Sequence, residues 1–157
     1  ESIKAYGVFD VLEHIENPSQ LLDEMYRTLE PGGYLLATVP CGQWLWGELD
    51  KSLGHYRRYS KRAINEVVSR SGFTPIRSRY LFLTLVLPAL ILRAIPFRLG
   101  IQRSEQQVFK TIQSEQSSNI VVNRTMKFVL SLESSISKFM LLPYGLTVLI
   151  IAQKPKI

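Results

Sequence analysis

The chain has 157 residues, of which 46% are hydrophobic, and these values fit one globular domain with a core of its own. Its single cysteine, Cys41, excludes an internal disulfide and favours a reducing, cytoplasmic setting. The net charge is +6, but residues 1–50 hold nine acidic and two basic side chains, whereas residues 51–80 hold eight basic and one acidic. This asymmetry favours an anionic substrate or an anionic membrane surface, or it is simply a solvated surface of uneven charge.

The first forty residues have the pattern of one strand–helix–strand unit. Residues 3–9 are largely apolar and predict a buried strand, which an acidic and histidine cluster follows. Asn17 predicts the N-cap of a helix, and the turn at residues 31–33 predicts its end. Residues 34–39 are typical of a strand covered on both faces. The ionisable cluster therefore lies at the carboxyl end of the first strand, where open α/β sheets bind their ligands.

The middle of the chain predicts a loop, a helix and a third strand. Residues 40–59 form a long loop with several aromatic side chains, and loops of this length in compact domains are usually functional. Ser60 predicts the N-cap of the next helix, and Gly72 predicts its end. Residues 73–80 complete a β-α-β-α-β path with three parallel strands.

The second half of the chain predicts apolar helices and a last strand. Residues 80–98 are almost all apolar, but two prolines and the internal Arg93 argue against a membrane-spanning helix. They favour a helical insertion that is buried or lies on a membrane surface. Residues 99–120 predict a polar connection or a weak helix. Residues 121–140 predict a helix with an apolar stripe that packs in the core, and residues 146–152 predict a strand.

Five short motifs follow one another along the chain. They are Phe9-Asp10-Val11-Leu12-Glu13-His14-Ile15, Leu29-Glu30-Pro31-Gly32-Gly33, Thr38-Val39-Pro40, Gly54-His55-Tyr56-Arg57-Arg58-Tyr59-Ser60 and Ser71-Gly72-Phe73. Together they resemble the second half of a class I S-adenosyl-L-methionine (SAM)-dependent methyltransferase, closest to the ubiquinone-biosynthesis-like (methyltransferase type 11) superfamily. Residues 44–46 and 142–146 also resemble a subgroup associated with genes for cell-surface polysaccharides or lipid-linked glycans.

The resemblance implies an α/β fold with a Rossmann-like sheet of seven strands, the last of which is antiparallel. Residues 3–9, 34–39, 74–80 and 146–152 resemble strands four to seven. The glycine-rich loop and the acidic residue that hold the cofactor in this family belong to the first three strands. We therefore expect residues 1–157 to be the C-terminal part of one methyltransferase domain, inactive without the N-terminal half as its partner.

The resemblance also implies the positions of the cofactor and the base. The tip of the fourth strand lies beside the methionine part of SAM, so Phe9, Asp10 and Val11 are candidate cofactor contacts. Methylation of a hydroxyl benefits from a general base, and His14 and His55 are the two histidines of the chain. The alternative is that Asp10 caps the following turn and His14 packs under the sheet.

A metal site is a weaker reading of the same cluster. Asp10, Glu13 and His14 offer three ligands within five residues, and His55 could complete the set from the next loop. Carboxylates with imidazole suit Mg²⁺, Mn²⁺ or Zn²⁺, but this spacing is not diagnostic, and our expectation is that no metal is bound.

The aromatic loop is the candidate acceptor site. Trp44, Trp46 and Tyr56 could stack on a sugar ring or cover a lipid chain, and Arg57 and Arg58 could bind a phosphate or carboxylate. The alternative is that one arginine pairs with the acidic first half of the chain and the tryptophans fill the core.

These observations favour a SAM-dependent methyltransferase that acts on a small-molecule or lipid- or glycan-linked acceptor, at oxygen. The alternative is a non-catalytic module that binds a membrane surface or a partner, based on residues 80–98 and the basic middle of the chain. No motif matches an RNA-reading module, which argues against a nucleic-acid substrate. The expected location is the cytoplasm, with peripheral contact at the inner membrane.

Overall fold

A computed structural model describes residues 3–101 and 120–156 of the chain. The four strands are β1 (Ile3–Phe9), β2 (Leu29–Pro40), β3 (Thr74–Leu81) and β4 (Thr147–Gln153). The helices are α1 (Pro18–Thr28), α2 (Glu48–Ser52), α3 (Lys61–Arg70), α4 (Val86–Ala89), α5 (Ile95–Arg98) and α6 (Ile120–Ser137). Short 3₁₀ turns cover Leu12–His14, Gln43–Leu45 and Leu83–Leu85, and a π-helical stretch, Leu90–Ala94, joins α4 to α5.

The four strands form one mixed sheet in the order β1-β2-β4-β3. β1 pairs with β2 in parallel, and β4 runs antiparallel to both β2 and β3. The predicted α/β, Rossmann-like sheet with an antiparallel last strand is therefore confirmed. One detail differs from the predicted parallel path, because β4 lies between β2 and β3 and separates them.

The core fills the space between the sheet and helices α1 and α3. Alternate residues of β2 and β4 point into it, as the period of two in a strand requires. Leu22 from α1 and Ile64 and Val68 from α3 are fully buried against them. The core residues of the two central strands are Leu35, Ala37, Val39, Val148, Ile150 and Ala152.

The helix boundaries show which local signals decided the structure. Ser60 caps α3 as predicted, because its Oγ accepts a hydrogen bond of 3.0 Å from the Ala63 amide. Asn17 precedes Pro18, which is suited to the first helical position, but its side chain makes no cap hydrogen bond. β2 begins at Leu29, earlier than predicted, and a bulge with Gly32 at a φ of +81° takes up the turn residues.

The apolar second half of the chain is more exposed than its sequence pattern predicted. Residues 83–98 are helical but broken into short pieces, and α6 follows at residues 120–137. The predicted core stripe on α6 is wrong, because Met126, Ile136 and the nearby Met140 are exposed. Among the described residues, none of the helices combines the length and the apolar character that crossing a membrane requires. The prediction for residues 99–120 falls mostly outside the described residues.

Candidate active site

The carboxyl end of β1 holds a strained residue between two exposed apolar ones. Asp10 has a φ of +51°, a conformation that residues other than glycine seldom adopt and that costs about 1 kcal/mol or more. A hydrogen bond of 3.0 Å from its amide to the Thr38 carbonyl holds the strand end against β2. Phe9 and Val11 are both exposed. Strain of this kind is concentrated at functional sites, so the strand end is a candidate binding position.

Three hydrogen bonds hold the loop around His55 against the turn that follows β1. This contact explains why residues about 40 positions apart in the sequence form one site. The bonds run from the Tyr56 amide to the Glu13 carbonyl (2.7 Å), from Nη2 of Arg57 to the Glu16 carbonyl (2.6 Å) and from the Tyr59 hydroxyl to the Leu12 carbonyl (3.2 Å).

The same contact brings Glu13, His14 and His55 together. The rings of His14 and His55 meet edge to face, with 4.6 Å between their centroids. One potential ligand atom of each of the three side chains lies within 4.8 Å of the other two. Glu13 is only 1% exposed, and its Oε2 has no hydrogen-bond partner among the described residues. Burial raises the pKa of Glu13, and the Asp10 carboxylate adds to the effect.

Asp50 lies behind His55 and is a site residue that the sequence did not single out. Its carboxylate is buried, and Oδ1 accepts hydrogen bonds from Nδ1 of His55 (2.9 Å) and Nε of Arg58 (2.8 Å). Oδ2 accepts a bond of 3.0 Å from the Gly47 amide, at the start of α2. An ionised carboxylate only accepts hydrogen bonds, so Nδ1 of His55 is the donor to Asp50, and in the neutral ring Nε2 is then the nitrogen with the free lone pair.

The sequence pattern contained one usable signal for Asp50. Asp50 and Glu48 are the two acidic residues in the ten positions before His55. The rest of this loop is rich in aromatic and basic side chains. A buried acid was needed there to pair with the arginine. What the pattern did not indicate is the short helix α2, which turns the carboxylate inward.

The two arginines of the loop have different environments. Arg58 is largely buried and directs Nε to Asp50 and Nη1 to the Cys41 carbonyl (3.4 Å). This geometry favours the alternative in which one arginine pairs with the acidic first half of the chain. Arg57 is half-buried, and its Nη2 donates a hydrogen bond to the Glu16 carbonyl.

The aromatic residues of the loop are accessible to different extents. Tyr56 and Trp44 are exposed, whereas Trp46 is half-buried. The Trp44 ring lies 5.4 Å from that of Tyr144, so one face of this indole is already covered. Cys41 is buried, and burial raises the pKa of its thiol, which argues against a reactive cysteine.

The donor set of the cluster suits a divalent ion in part. A carboxylate with two imidazoles is a common combination for Zn²⁺ or Mn²⁺. Asp10, which the sequence grouped with the candidate ligands, is not one of the three clustered residues. The hydrogen bond from His55 to Asp50 would orient that ring as metal-binding histidines are usually oriented.

Comparisons with known proteins place the chain in a fold family. Residues 7–78 match the model of a methyltransferase domain family. The structure resembles a Bacillus halodurans protein described as a methyltransferase (TM-score 0.52, 13% identity), over 99% of this chain and 73% of that one. It also resembles a SAM-dependent methyltransferase from Thermotoga maritima (TM-score 0.51, 16% identity), over 96% of this chain and 56% of the other. No curated protein sequence matches the chain.

Two further structural matches define what the fold does and does not imply. A Haloferax volcanii protein described as a methyltransferase, in complex with the activator Trm112, matches with a TM-score of 0.52 and 13% identity, over 99% of this chain and 55% of the other. The [4+2]-cyclase SpnF matches with the same TM-score and 15% identity, over 99% of this chain and 51% of that chain. The fold therefore hosts more than one reaction, and the site must decide the chemistry.

The sheet topology and the matched domain agree with each other. Residues 7–78, a little under half of the chain, match a methyltransferase domain family, and the fold is the one seen in solved SAM-dependent methyltransferases. The chain spans between about half and three quarters of the length of these four structures.

Proposed function

We propose that this protein transfers a methyl group from SAM to a hydroxyl of a small-molecule or lipid- or glycan-linked acceptor, with His55 as the general base. The observation that carries the proposal is the hydrogen bond between His55 and the buried Asp50, beside the carboxyl end of β1. When bound, SAM supplies a sulfonium methyl group, which passes to a nucleophile as its bond to sulfur breaks.

The end of β1 fits the cofactor. Phe9 and Val11 offer exposed apolar surface to the uncharged parts of SAM, and the strained Asp10 adds a carboxylate that can attract its positive charge.

The pairing of His55 with Asp50 suits proton removal. With its proton on Nδ1, His55 can take the acceptor's hydroxyl proton at Nε2, while Asp50 stabilises the imidazolium that results. His14 packs edge to face against His55 and limits the positions of that ring. A base of this kind matters more for a hydroxyl than for an amine, which favours transfer to oxygen.

The loop around the site supports the acceptor class. Tyr56 and Trp44 present exposed aromatic surface that suits a sugar ring or a lipid chain, with Trp46 behind them. Arg57 is the arginine that remains for an anionic group of the acceptor, since Arg58 is engaged by Asp50.

The test is methyl transfer from labelled SAM to a panel of hydroxylated small molecules and lipid-linked glycans. It is made with this chain and with any residues that its gene encodes ahead of Glu1. We expect His55→Gln to lower kcat by about a hundredfold or more and to leave the dissociation constant of SAM unchanged. His14→Gln, which changes the neighbouring ring, is the matched comparison and should have the smaller effect.

Equal losses of kcat in the two variants would contradict the assigned base. Transfer to amines alone, with His55→Gln as active as the wild type, would contradict O-methylation.

A bound divalent ion is a second way to activate a hydroxyl. It is favoured by Oε2 of Glu13, which has no hydrogen-bond partner in the described part of the chain. Glu13, His14 and His55 would be the ligands. Calorimetric titration with Zn²⁺ or Mn²⁺ distinguishes the two readings. Binding that both Glu13→Gln and His55→Gln abolish would make His55 a ligand and not the base.

A non-catalytic module at a membrane surface is the other candidate. It is favoured by the exposed apolar side chains of residues 83–98, which also motivate a peripheral location at the inner membrane for a cytoplasmic protein. Failure to bind SAM with or without the residues encoded ahead of Glu1, together with binding to vesicles, would support this candidate.

A further inference from the structure

Exposed apolar side chains are concentrated in two segments that follow β3. Among the described residues, twenty-one large hydrophobic side chains are exposed, and fourteen of them lie in residues 82–101 and 126–141. Several are well over half exposed, including Phe139 (90%), Leu99 (71%), Phe128 (69%) and Leu87 (62%). We call the exposed side chains of these two segments the helical face. A surface of this apolar character normally meets a partner or a membrane.

The helical face is basic as well as apolar. Residues 82–101 contain two arginines and no acid, and residues 123–141 contain three basic residues and one acid. That acid, Glu133, is buried. The basic residues Arg98, Arg124, Lys127 and Lys138 are all exposed. The charge that the face presents to its surroundings is therefore positive throughout the described residues.

Glu133 is turned inward because it joins the two segments. Its carboxylate accepts hydrogen bonds from the Leu83 amide (3.0 Å) and from the amide and hydroxyl of Thr84 (2.9 and 2.7 Å). A second bond, from Nη1 of Arg79 to the Ser137 carbonyl (3.2 Å), ties the end of α6 to β3. Glu133 and Arg79 are thus hydrogen-bonded within the protein, whereas many apolar side chains of the two segments are exposed to the surroundings.

The same face is attached to the acceptor loop. Nη2 of Arg98 donates a hydrogen bond of 2.8 Å to the Trp44 carbonyl. The ammonium group of Lys51 lies 4.8 Å from the centre of the Phe97 ring, in a cation–π contact. α5 therefore contacts both ends of the stretch that contains Asp50 and Trp44.

We propose that the helical face docks on an anionic membrane surface and that the acceptor is a lipid-linked molecule presented there. The second clause rests on the proposed function, whereas the docking does not. An anionic lipid surface matches the face in both respects, because acyl chains take up the apolar side chains and headgroups pair with the basic ones. A second copy of the chain, docked face to face, would instead oppose like charges.

The test is co-sedimentation of the full chain with vesicles. We expect binding to phosphatidylcholine vesicles that contain phosphatidylglycerol, weaker binding to phosphatidylcholine alone, and a loss of about tenfold or more when salt is raised from about 0.05 M to about 0.5 M. Mass measurement by light scattering on the same samples records any self-association.

Two variants separate the apolar and the charged contributions. Leu87→Ser with Phe128→Ser, one change in each segment, should lower the partition coefficient by about tenfold or more on anionic vesicles. Lys127→Glu should lower it by at least about fivefold, and only where anionic lipid is present. The matched controls are Lys4→Glu on β1, the edge strand opposite β3, and Tyr34→Ser on the central strand β2. Both lie outside the helical face and should bind like the wild type.

Several outcomes would overturn the docking. They are indifference to anionic lipid, equal losses in the control variants, or a dimer that the double variant converts to a monomer without any vesicle binding. Each would leave the role of His55 untouched. Conversely, a loss of methyl transfer in His55→Gln with vesicle binding intact separates the chemistry from the docking.

Discussion

Two buried glutamates, Glu13 after β1 and Glu133 on α6, have opposite surroundings. Glu13 leaves Oε2 without a described partner, and burial raises its pKa. Burial would also raise the pKa of Glu133, but hydrogen bonds from Thr84, Leu83 and Phe82 outweigh burial and lower it. The Glu13 carboxylate lies beside two histidines, whereas the Glu133 carboxylate accepts hydrogen bonds that join α6 to the segment after β3.

The contrast extends to the two regions around these residues. At the end of β1, directional hydrogen bonds position a few polar groups, and a small displacement would disable them. On the helical face, apolar area and net charge matter more than the position of any one side chain. Single substitutions should therefore have large effects in the first region and graded effects in the second.

The largest effect is expected from Asp50→Asn. This change leaves the Arg58 guanidinium buried without its counter-charge, and it removes the group that fixes the His55 tautomer. We expect a loss of about 3–5 kcal/mol in the free energy of unfolding, measured with urea. The corresponding change at the neighbouring, half-buried Glu48, Glu48→Gln, should lower the free energy of unfolding by less than about 1 kcal/mol. Similar values for the two variants would contradict the buried ion pair.

A smaller loss is expected from Glu133→Gln. The amide cannot accept all the hydrogen bonds that the carboxylate receives from Leu83 and Thr84, so stability should fall by about 2 kcal/mol at pH 7. Because folding lowers this pKa, the carboxylate stabilises the fold fully above its ordinary pKa of 4.5. The difference between variant and wild type should shrink as the pH falls below that value, which thermal unfolding across pH 3–7 measures. A gap independent of pH would contradict the assignment.

The smallest effect, and the opposite sign, is expected from Glu13→Gln. Folding raises this pKa, so ionisation of Glu13 destabilises the wild type as the pH rises above about 4.5. In a buffer with a chelator, the variant should be more stable by about 1 kcal/mol at pH 7, with no difference at low pH. A variant that is less stable at pH 7 would show that Oε2 has a partner in solution, and the contrast between the two glutamates would then fail.

The sequence predicted the fold well where local chemistry agreed with burial. The apolar strands, the Ser60 cap and the acidic cluster after β1 all follow from residue type and spacing. The position of β4 between β2 and β3 did not, because strand order is a long-range property. The burial of α6 was predicted wrongly because its apolar stripe has the same spacing as a core helix, and the pattern carries no information on what covers it.

The site was predicted in part for similar reasons. His14 and His55 were candidates by residue type, and the structure brings them together through the bonds between the Tyr56–Tyr59 stretch and the turn after β1. Asp50 was missed because its role depends on being buried. The sequence could not distinguish Arg57 from Arg58, since only the packing of α2 decides which guanidinium meets the acid.

The most direct test of the site is a chemical-shift titration with S-adenosylhomocysteine, monitored through backbone amides. The chain is used both as it stands and with any residues that its gene encodes ahead of Glu1. We expect saturable shifts at residues 9–14 and 54–57, where the strand end meets the His55 loop, and none on α6. Saturable shifts confined to other elements, or no shifts in either form at saturating ligand, would contradict the assignment of the active site to the end of β1.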